Sequence, residues 1–215
     1  RISVASAGND HRLGGCEAPP AIASIYLGDE LTSILEALEH GEEYNEAQEE
    51  LMEIGVHVLP NFPKDTTDRN RTSPFAFTGN KFEFRMLGSS QSISDPNTVI
   101  NTIVANELMQ FADILEQAPN FNKALKKLIA KTIRKHKRII FNGDRYSKAW
   151  EDEAKERGLL NLPSTVDALP HFINQKNIDL FSNHNIYTES EISSRYEISL
   201  ETYSKRIRIE ALTLI

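Results

Sequence analysis

The chain has 215 residues and 40% apolar content, enough core-forming material for one large domain or for one domain with a helical extension. A single cysteine, Cys16, excludes an internal disulfide framework; six histidines without cysteine partners argue against structural zinc, and no run reaches the roughly 18 apolar residues of a membrane span. The net charge of −7 hides an uneven distribution, with ten acids and no Lys or Arg from Asp29 to Glu53, and eight Lys or Arg and no acid between Gln117 and Gly143.

The N-terminus lacks a secretory pattern, which makes the cytoplasm the expected address. Arg1 stands where an initiating Met would, and Ile215 falls in mid-pattern, so the sequence reads as a piece of a longer protein. "ISVA" is a short apolar run, and "PAIASIYLG" has the β-branched and aromatic content of a buried strand closed by Gly28, which predicts strand, loop, strand. From Asp29, Leu31, Ile34, Leu35 and Leu38 recur at helical spacing, and Gly41 stands where a C-cap belongs. A second acidic helix is expected over about 42–54, then a strand at "GVHVLP" and a polar loop at "NFPKDTTDRNRTSP". In "FAFTGNKFEFRMLGS" the "TGN" offers a tight turn. After it Phe82, Phe84 and Met86 alternate with Lys81, Glu83 and Arg85, giving one core face and one charged face.

From "SDPN" onward the chain reads as helical. Ser94 or Asp95 is the expected cap, Pro96 suits a first turn, and Ile100, Ile103, Val104, Leu108, Phe111 and Leu115 form a long apolar stripe. Further helices are expected at about 121–138, 144–158, 164–174 and 189–213. The first of these carries the basic run, for which a nucleic-acid footprint is one reading. Without interleaved aromatics, and with Leu125, Leu128, Ile129 and Ile133 at helical spacing, a solvated helix face is simpler, and no nucleic-acid partner is expected. Contact with the acidic helices, within or between subunits, is a third reading.

Three groups of residues carry chemical potential. Lys81, Glu83 and Arg85 face the same way on a strand, spanning roughly 13 Å at about 3.3 Å per residue. The carboxylate suits Mg²⁺ and the cations suit anionic substrate groups, against the plainer reading of a solvent-facing strand with compensating charges. Arg69 and Arg71 precede this strand in a polar loop, where they either clamp a phosphoryl group or are surface residues. In the opening loop, Gly14, Gly15 and the prolines shape a lid carrying Arg12 for a carboxylate and Glu17 as base, or else an ordinary connection. His11 reads as structural, and Cys16 has no partner that would activate it.

The segments "GNDHRLGGCEAPPAI", "NRTSPFAF" and "NKFEFRMLGSS", followed by "SDPNTVINTIVA", resemble in order and character the motifs of the glutamine synthetase catalytic domain. The wording is most similar to the large type III bacterial enzymes, as are "LPSTVDALPHFI" and "SRYEI" in the tail. The resemblance implies an α+β fold with two parts. Residues 1–97 would hold the last short antiparallel strands of an incomplete catalytic domain, with a flap loop at 8–20, a phosphate-binding loop at 65–74 and a metal-ligand strand at 80–87. Residues 98–215 would form a helical C-terminal domain.

The resemblance also implies roles. Arg12 matches the arginine that contacts the glutamate substrate, and Glu17 the flap carboxylate that closes the site and helps deprotonate ammonium. Arg71 matches the arginine that stabilises the transferring phosphoryl group. Glu83 matches a ligand of the second divalent metal, and Arg85 an arginine at the glutamate and phosphoryl end. Lys81 stands where the commoner types carry an arginine near ATP. Ala76 replaces another phosphate-binding arginine, for which Arg69 is a candidate substitute. The implied enzyme is a glutamate–ammonia ligase using ATP and Mg²⁺ or Mn²⁺, homo-oligomeric, and inactive as this fragment alone. Two alternatives stay open: a related carboxylate or guanidino phosphotransferase, and a non-catalytic helical interaction module with a decayed site.

Overall fold

The computed structural model describes residues 18–42, 51–52, 62–63, 72–85 and 92–213. These divide into two compact units, each considered on its own. Together they make an α+β fragment in which helices dominate and the strands are short.

One unit comprises described residues from 24–85 and 118–143. Its sheet has the order β1, β4, β5, formed by Ile25–Tyr26, Phe75–Phe77 and Phe82–Phe84, with the first pair parallel and the second antiparallel. "PAIASIYLG" therefore contributes only two strand residues, fewer than its composition suggested. The free edge of β1 is extended by a parallel bridge from Ile25 to Ile140, and the Phe141 amide donates to the Ile25 carbonyl at 2.9 Å. Strands β2 (Leu51–Met52) and β3 (Phe62–Pro63) form a separate antiparallel pair. The acidic helix expected to run to about 54 is thus not helical at Leu51–Met52, where strand pairing wins over helix propensity, and the expected loop contains β3. The runs "ISVA" and "GVHVLP" lie outside the described residues.

Helix α1 (Asp29–His40) ends as expected, with Gly41 left-handed at φ 76° and its amide bonded to Ala37. Its start is less ordinary, because Gly28, at φ 79°, has no side chain to cap the first amides. Asn142, from far along the chain, instead holds the turn that leads into the helix. Its Oδ1 accepts from the Leu27 and Gly28 amides at 3.2 and 3.3 Å, and its Nδ2 donates to Thr32 Oγ1 at 3.0 Å. Helix α3 (Phe121–His136) is capped by Asn120 and continues into a 3-10 turn at Lys137–Ile139, close to the expected span.

The other unit comprises described residues from 18–23, 92–117 and 144–213. It holds α2 (Ser94–Glu116), α4 (Lys148–Glu156), α5 (Thr165–Ala168), α6 (Gln175–Asn183) and α7 (Glu189–Thr213). Trp150, Ala154, Ala168, Phe181 and Ile192 form its core. Helix α7 matches the expected span. Helix α4 starts later than expected, because Ser147 caps it and Asp144 holds the preceding turn. The helix expected at 164–174 shortens to α5 plus a 3-10 turn, since Pro170 supplies no amide to continue it. Helix α6 was not anticipated.

Helix α2 forms where expected but not with the expected cap. Its N-cap is Ile93, no side chain caps it, and Pro96 lies two residues inside. Its one fully buried residue lies off the expected apolar stripe, which is itself partly covered. Thr102, 4% exposed, is its buried residue, and Asn106 Oδ1 lies 3.1 Å from His184 Nε2. Of the expected stripe, Ile103, Val104 and Leu108 are 42–60% exposed, while Ile100, Phe111 and Leu115 are half-buried.

Candidate functional site

The charged row on β5 is built by its hairpin. In the antiparallel register Phe75 pairs with Phe84, Ala76 with Glu83 and Phe77 with Phe82. The four connecting residues Thr78–Lys81 include Gly79 at φ 90°, a backbone that favours glycine. The Thr78 amide and hydroxyl both donate to the Lys81 carbonyl, at 2.8 and 3.2 Å. At the open end the Arg85 amide donates to the Pro74 carbonyl at 2.8 Å, and the buried Ser73 hydroxyl donates to the Phe75 carbonyl at 2.7 Å. These bonds fix the segment entering β4 against the end of β5.

The alternation places Lys81, Glu83 and Arg85 together, as the period of two requires. Arg85 Nη2 and Nε approach the same oxygen, Glu83 Oε2, at 2.8 and 3.3 Å, while Lys81 Nζ stands 3.6 Å from Oε1. The hydrogen bond from Arg85 holds the Glu83 carboxyl below its ordinary value of 4.5; partial burial opposes this, and the charges of Arg85 and then Lys81 reinforce it. Glu83 is therefore ionised at neutral pH, with both oxygens facing cations. The cross-strand neighbour on the same face is Ala76, fully buried, so a methyl group stands beside this carboxylate.

The opposite face carries Phe75, Phe77, Phe82 and Phe84. Phe75 and Phe82 stack at 5.3 Å, and Phe77 meets Phe82 at 5.2 Å. This face, expected to be core, is only half covered, with Phe82 47% exposed. Arg12, Glu17, Arg69, Arg71 and Met86 lie outside the described residues, so the structure brings together only the β5 trio of the candidate site residues. Among the described residues no three acidic, histidine or cysteine side chains gather to hold a metal ion. Glu83, flanked by two cations, does not form a metal site by itself, and no helix there is long and apolar enough to cross a membrane.

A second ionic centre joins the basic run to the acidic helix α1, the third of the readings the sequence left open. Glu39 of α1 has a side chain only 8% exposed and accepts from Lys137 Nζ at 3.0 and 3.2 Å, while Arg134 Nη2 donates to the Glu39 carbonyl at 2.6 Å. Its signal was its spacing, four residues after Leu35, inside the apolar stripe of α1. Around it, α1 and α3 border a groove of about 730 Å³ with a basic rim. Buried Arg145 was passed over, as a lone cation in a turn-rich stretch.

Residues 124–215 match the glutamine synthetase C-terminal domain family. The whole chain is 50% identical to a type-3 glutamine synthetase of Dictyostelium discoideum, 46% to a glutamine synthetase of Butyrivibrio fibrisolvens and 38% to one of Bacteroides fragilis (strain YCH46). In each case all of this chain aligns, and it spans 30, 31 and 30% of the relative's length, respectively.

Proposed function

We propose, from the match of residues 124–215 to the glutamine synthetase C-terminal domain, that the full-length protein carrying this chain is a cytoplasmic, homo-oligomeric glutamate–ammonia ligase. In the proposed reaction ATP phosphorylates the side-chain carboxylate of glutamate, and ammonia then displaces phosphate from the γ-glutamyl phosphate to give glutamine. The observation that carries this reading is the Lys81–Glu83–Arg85 row on β5, in a chain similar over its whole length to glutamine synthetases.

Each candidate residue has a task in this chemistry. Arg12 and Arg85 hold the glutamate substrate, and Arg85 and Arg71 meet the charge that develops on the transferring phosphoryl group. Lys81 and Arg69 lie on the nucleotide side. Glu17, on a closing flap, takes a proton from ammonium and keeps water from the acyl phosphate. Glu83 contributes one ligand to a divalent cation, Mg²⁺ or Mn²⁺, which when bound supplies charge neutralisation for the phosphates. On this reading the remaining carboxylates of such a site come from elsewhere in a longer polypeptide, and residues 1–97 and 98–215 serve as catalytic-domain end and helical domain.

The test is glutamine formation from glutamate, ATP, Mg²⁺ and ammonium by the full-length protein, compared with its Glu83→Ala variant. The variant is expected to lose on the order of 10²-fold or more in kcat/KM. A Glu83→Ala protein as active as its parent would remove Glu83 from the site. Phosphate release with an acceptor other than glutamate would move the protein to another phosphotransferase class.

A further inference from the structure

A buried hydroxyl is costly unless it is hydrogen-bonded, and that of Ser73, 1% exposed, bridges both backbone groups of one neighbour. Its Oγ donates to the Phe75 carbonyl at 2.7 Å and accepts from the Phe75 amide at 3.3 Å. That amide shares a planar peptide with the Pro74 carbonyl, and the two point in opposite directions. With the N–H turned to Ser73, the carbonyl is turned to the end of β5, where it accepts from the Arg85 amide at 2.8 Å. Pro74 and Arg85 continue the β4–β5 register by one step, since Phe75 pairs with Phe84. A hydrogen-bonded pair of this kind normally exchanges two backbone bonds, but Pro74 has no amide to return the second. The ladder at Arg85 therefore depends on one carbonyl, and Ser73 sets the plane in which it lies.

We propose that Ser73 is a positioning residue for Arg85: through the Pro74–Phe75 peptide it holds the backbone from which the guanidinium reaches an anionic substrate. The inference rests on the role given to Arg85 in the proposed reaction. The held amide and the side chain belong to the same residue, and the guanidinium stands with Nη2 and Nε at 2.8 and 3.3 Å from Glu83 Oε2. A rotation of the Pro74–Phe75 peptide releases the Arg85 amide and moves the guanidinium against its carboxylate. Lys81 is held separately, at the closed end of the hairpin, where the Thr78 amide and hydroxyl both donate to its carbonyl. Loss of the Ser73 hydroxyl thus acts on one cation of the row and spares the other: it disturbs the arginine assigned to glutamate and leaves in place the lysine assigned to the nucleotide.

The experiment is steady-state glutamine formation by the full-length protein, with glutamate and ATP varied in turn, together with peptide-resolved hydrogen exchange. Ser73→Ala is expected to raise the KM for glutamate on the order of tenfold, because a small displacement of a binding group is costly, and to keep the KM for ATP within about twofold of the parent. A loss of folded protein would instead lower kcat and leave both KM values unchanged, and that result overturns the inference. Exchange of the Arg85 amide is expected to quicken on the order of tenfold in the same variant, and unchanged exchange there also overturns it. Arg85→Lys keeps the charge but not the planar fork; in that background Ser73→Ala is expected to add less than about twofold to the KM for glutamate, since both changes act through one guanidinium. An undiminished effect in that background assigns Ser73 a purely structural part and overturns the inference. Ser73→Cys, with the same reach and a weaker hydrogen bond, is expected to fall between parent and alanine variant, and it takes the place of Ser73→Ala should that variant not fold. An Arg85→Lys protein with unaltered glutamate kinetics removes Arg85 from the substrate and the inference with it, whereas a parent that makes no glutamine overturns the proposed reaction as well.

Discussion

Replacing Asn142 by alanine should open the start of α1. The amide of Asn142 ties the β1–α1 corner to the segment that bridges to β1. Truncation removes the acceptor for two amides, those of Leu27 and Gly28, both on buried residues. Each buried donor left without a partner costs about 1–1.5 kcal/mol at the low end of the usual range, so the pair sums to about 2–3 kcal/mol. Thr32 loses little, because its hydroxyl still donates to the Gly28 carbonyl at 2.6 Å. At about 1.4 kcal/mol per factor of ten, the loss corresponds to roughly 30- to 140-fold faster exchange of the α1 amides. Hydrogen–deuterium exchange resolved to peptides 25–40 is the suitable assay, because with two compact units a single global unfolding free energy does not isolate this corner. Asn142→Asp separates the cause: it keeps the acceptor and adds a negative charge at a helix N-terminus, which helps by about 0.3–1 kcal/mol. The aspartate variant should therefore exchange within a few-fold of the parent. Equal exchange in the alanine variant and the parent, or equal acceleration in both variants, would refute the argument.

Glu83 should titrate below the usual glutamate range, and Arg85→Ala should move its midpoint upward, because the hydrogen bond from Arg85 is the largest cause of the depression. A folded-state value below the unfolded one means that the pair's stabilisation is complete above about pH 4.5 and is lost as pH falls through the depressed midpoint; carboxyl ¹³C shifts against pH would show it, and an unmoved midpoint would contradict it. Trp150, 1% exposed, fills the core of its unit beneath the Arg157 guanidinium, and Trp150→Ala should cost about 3–5 kcal/mol in denaturant unfolding of that unit, against an expected smaller loss for Trp150→Phe.

Local signals in the sequence identify elements most securely where one short segment contains every cause of its own structure. Helix α7 begins where expected because Thr188 and Glu191 cap each other: the Thr188 amide donates to Glu191 Oε2 at 2.7 Å and the Glu191 amide to Thr188 Oγ1 at 3.3 Å. The β5 alternation is equally local, so the meeting of Lys81, Glu83 and Arg85 could be read from spacing alone. Helix α6 was missed for the converse reason. It has nine residues and one buried side chain, Phe181, so its pattern is too short to rise above the polar residues around it. Asn142 could not be anticipated at all, since its partners lie more than a hundred positions away.

Helix α2 and the β4–β5 hairpin show a different limit. In both, the apolar pattern predicts the element correctly, but the apolar side is only partly covered: Ile103, Val104 and Leu108 of the α2 stripe are exposed while Thr102 is buried, and Phe82 is more exposed than Ala76 on the charged side of the sheet. Periodicity states that a face requires cover; it does not state which chain supplies it. A chain that spans about 30% of its relatives' length has these faces available for the rest of the polypeptide or for another copy. The same reasoning bears on Ala76. Full burial leaves no room for a long cationic side chain without moving the hairpin, so the positive charge at this end of the proposed site is concentrated on Lys81 and Arg85, both drawn to one carboxylate. A ligand that competes for Glu83 would release both cations at once, which couples occupation of the carboxylate to the availability of positive charge for an anionic substrate.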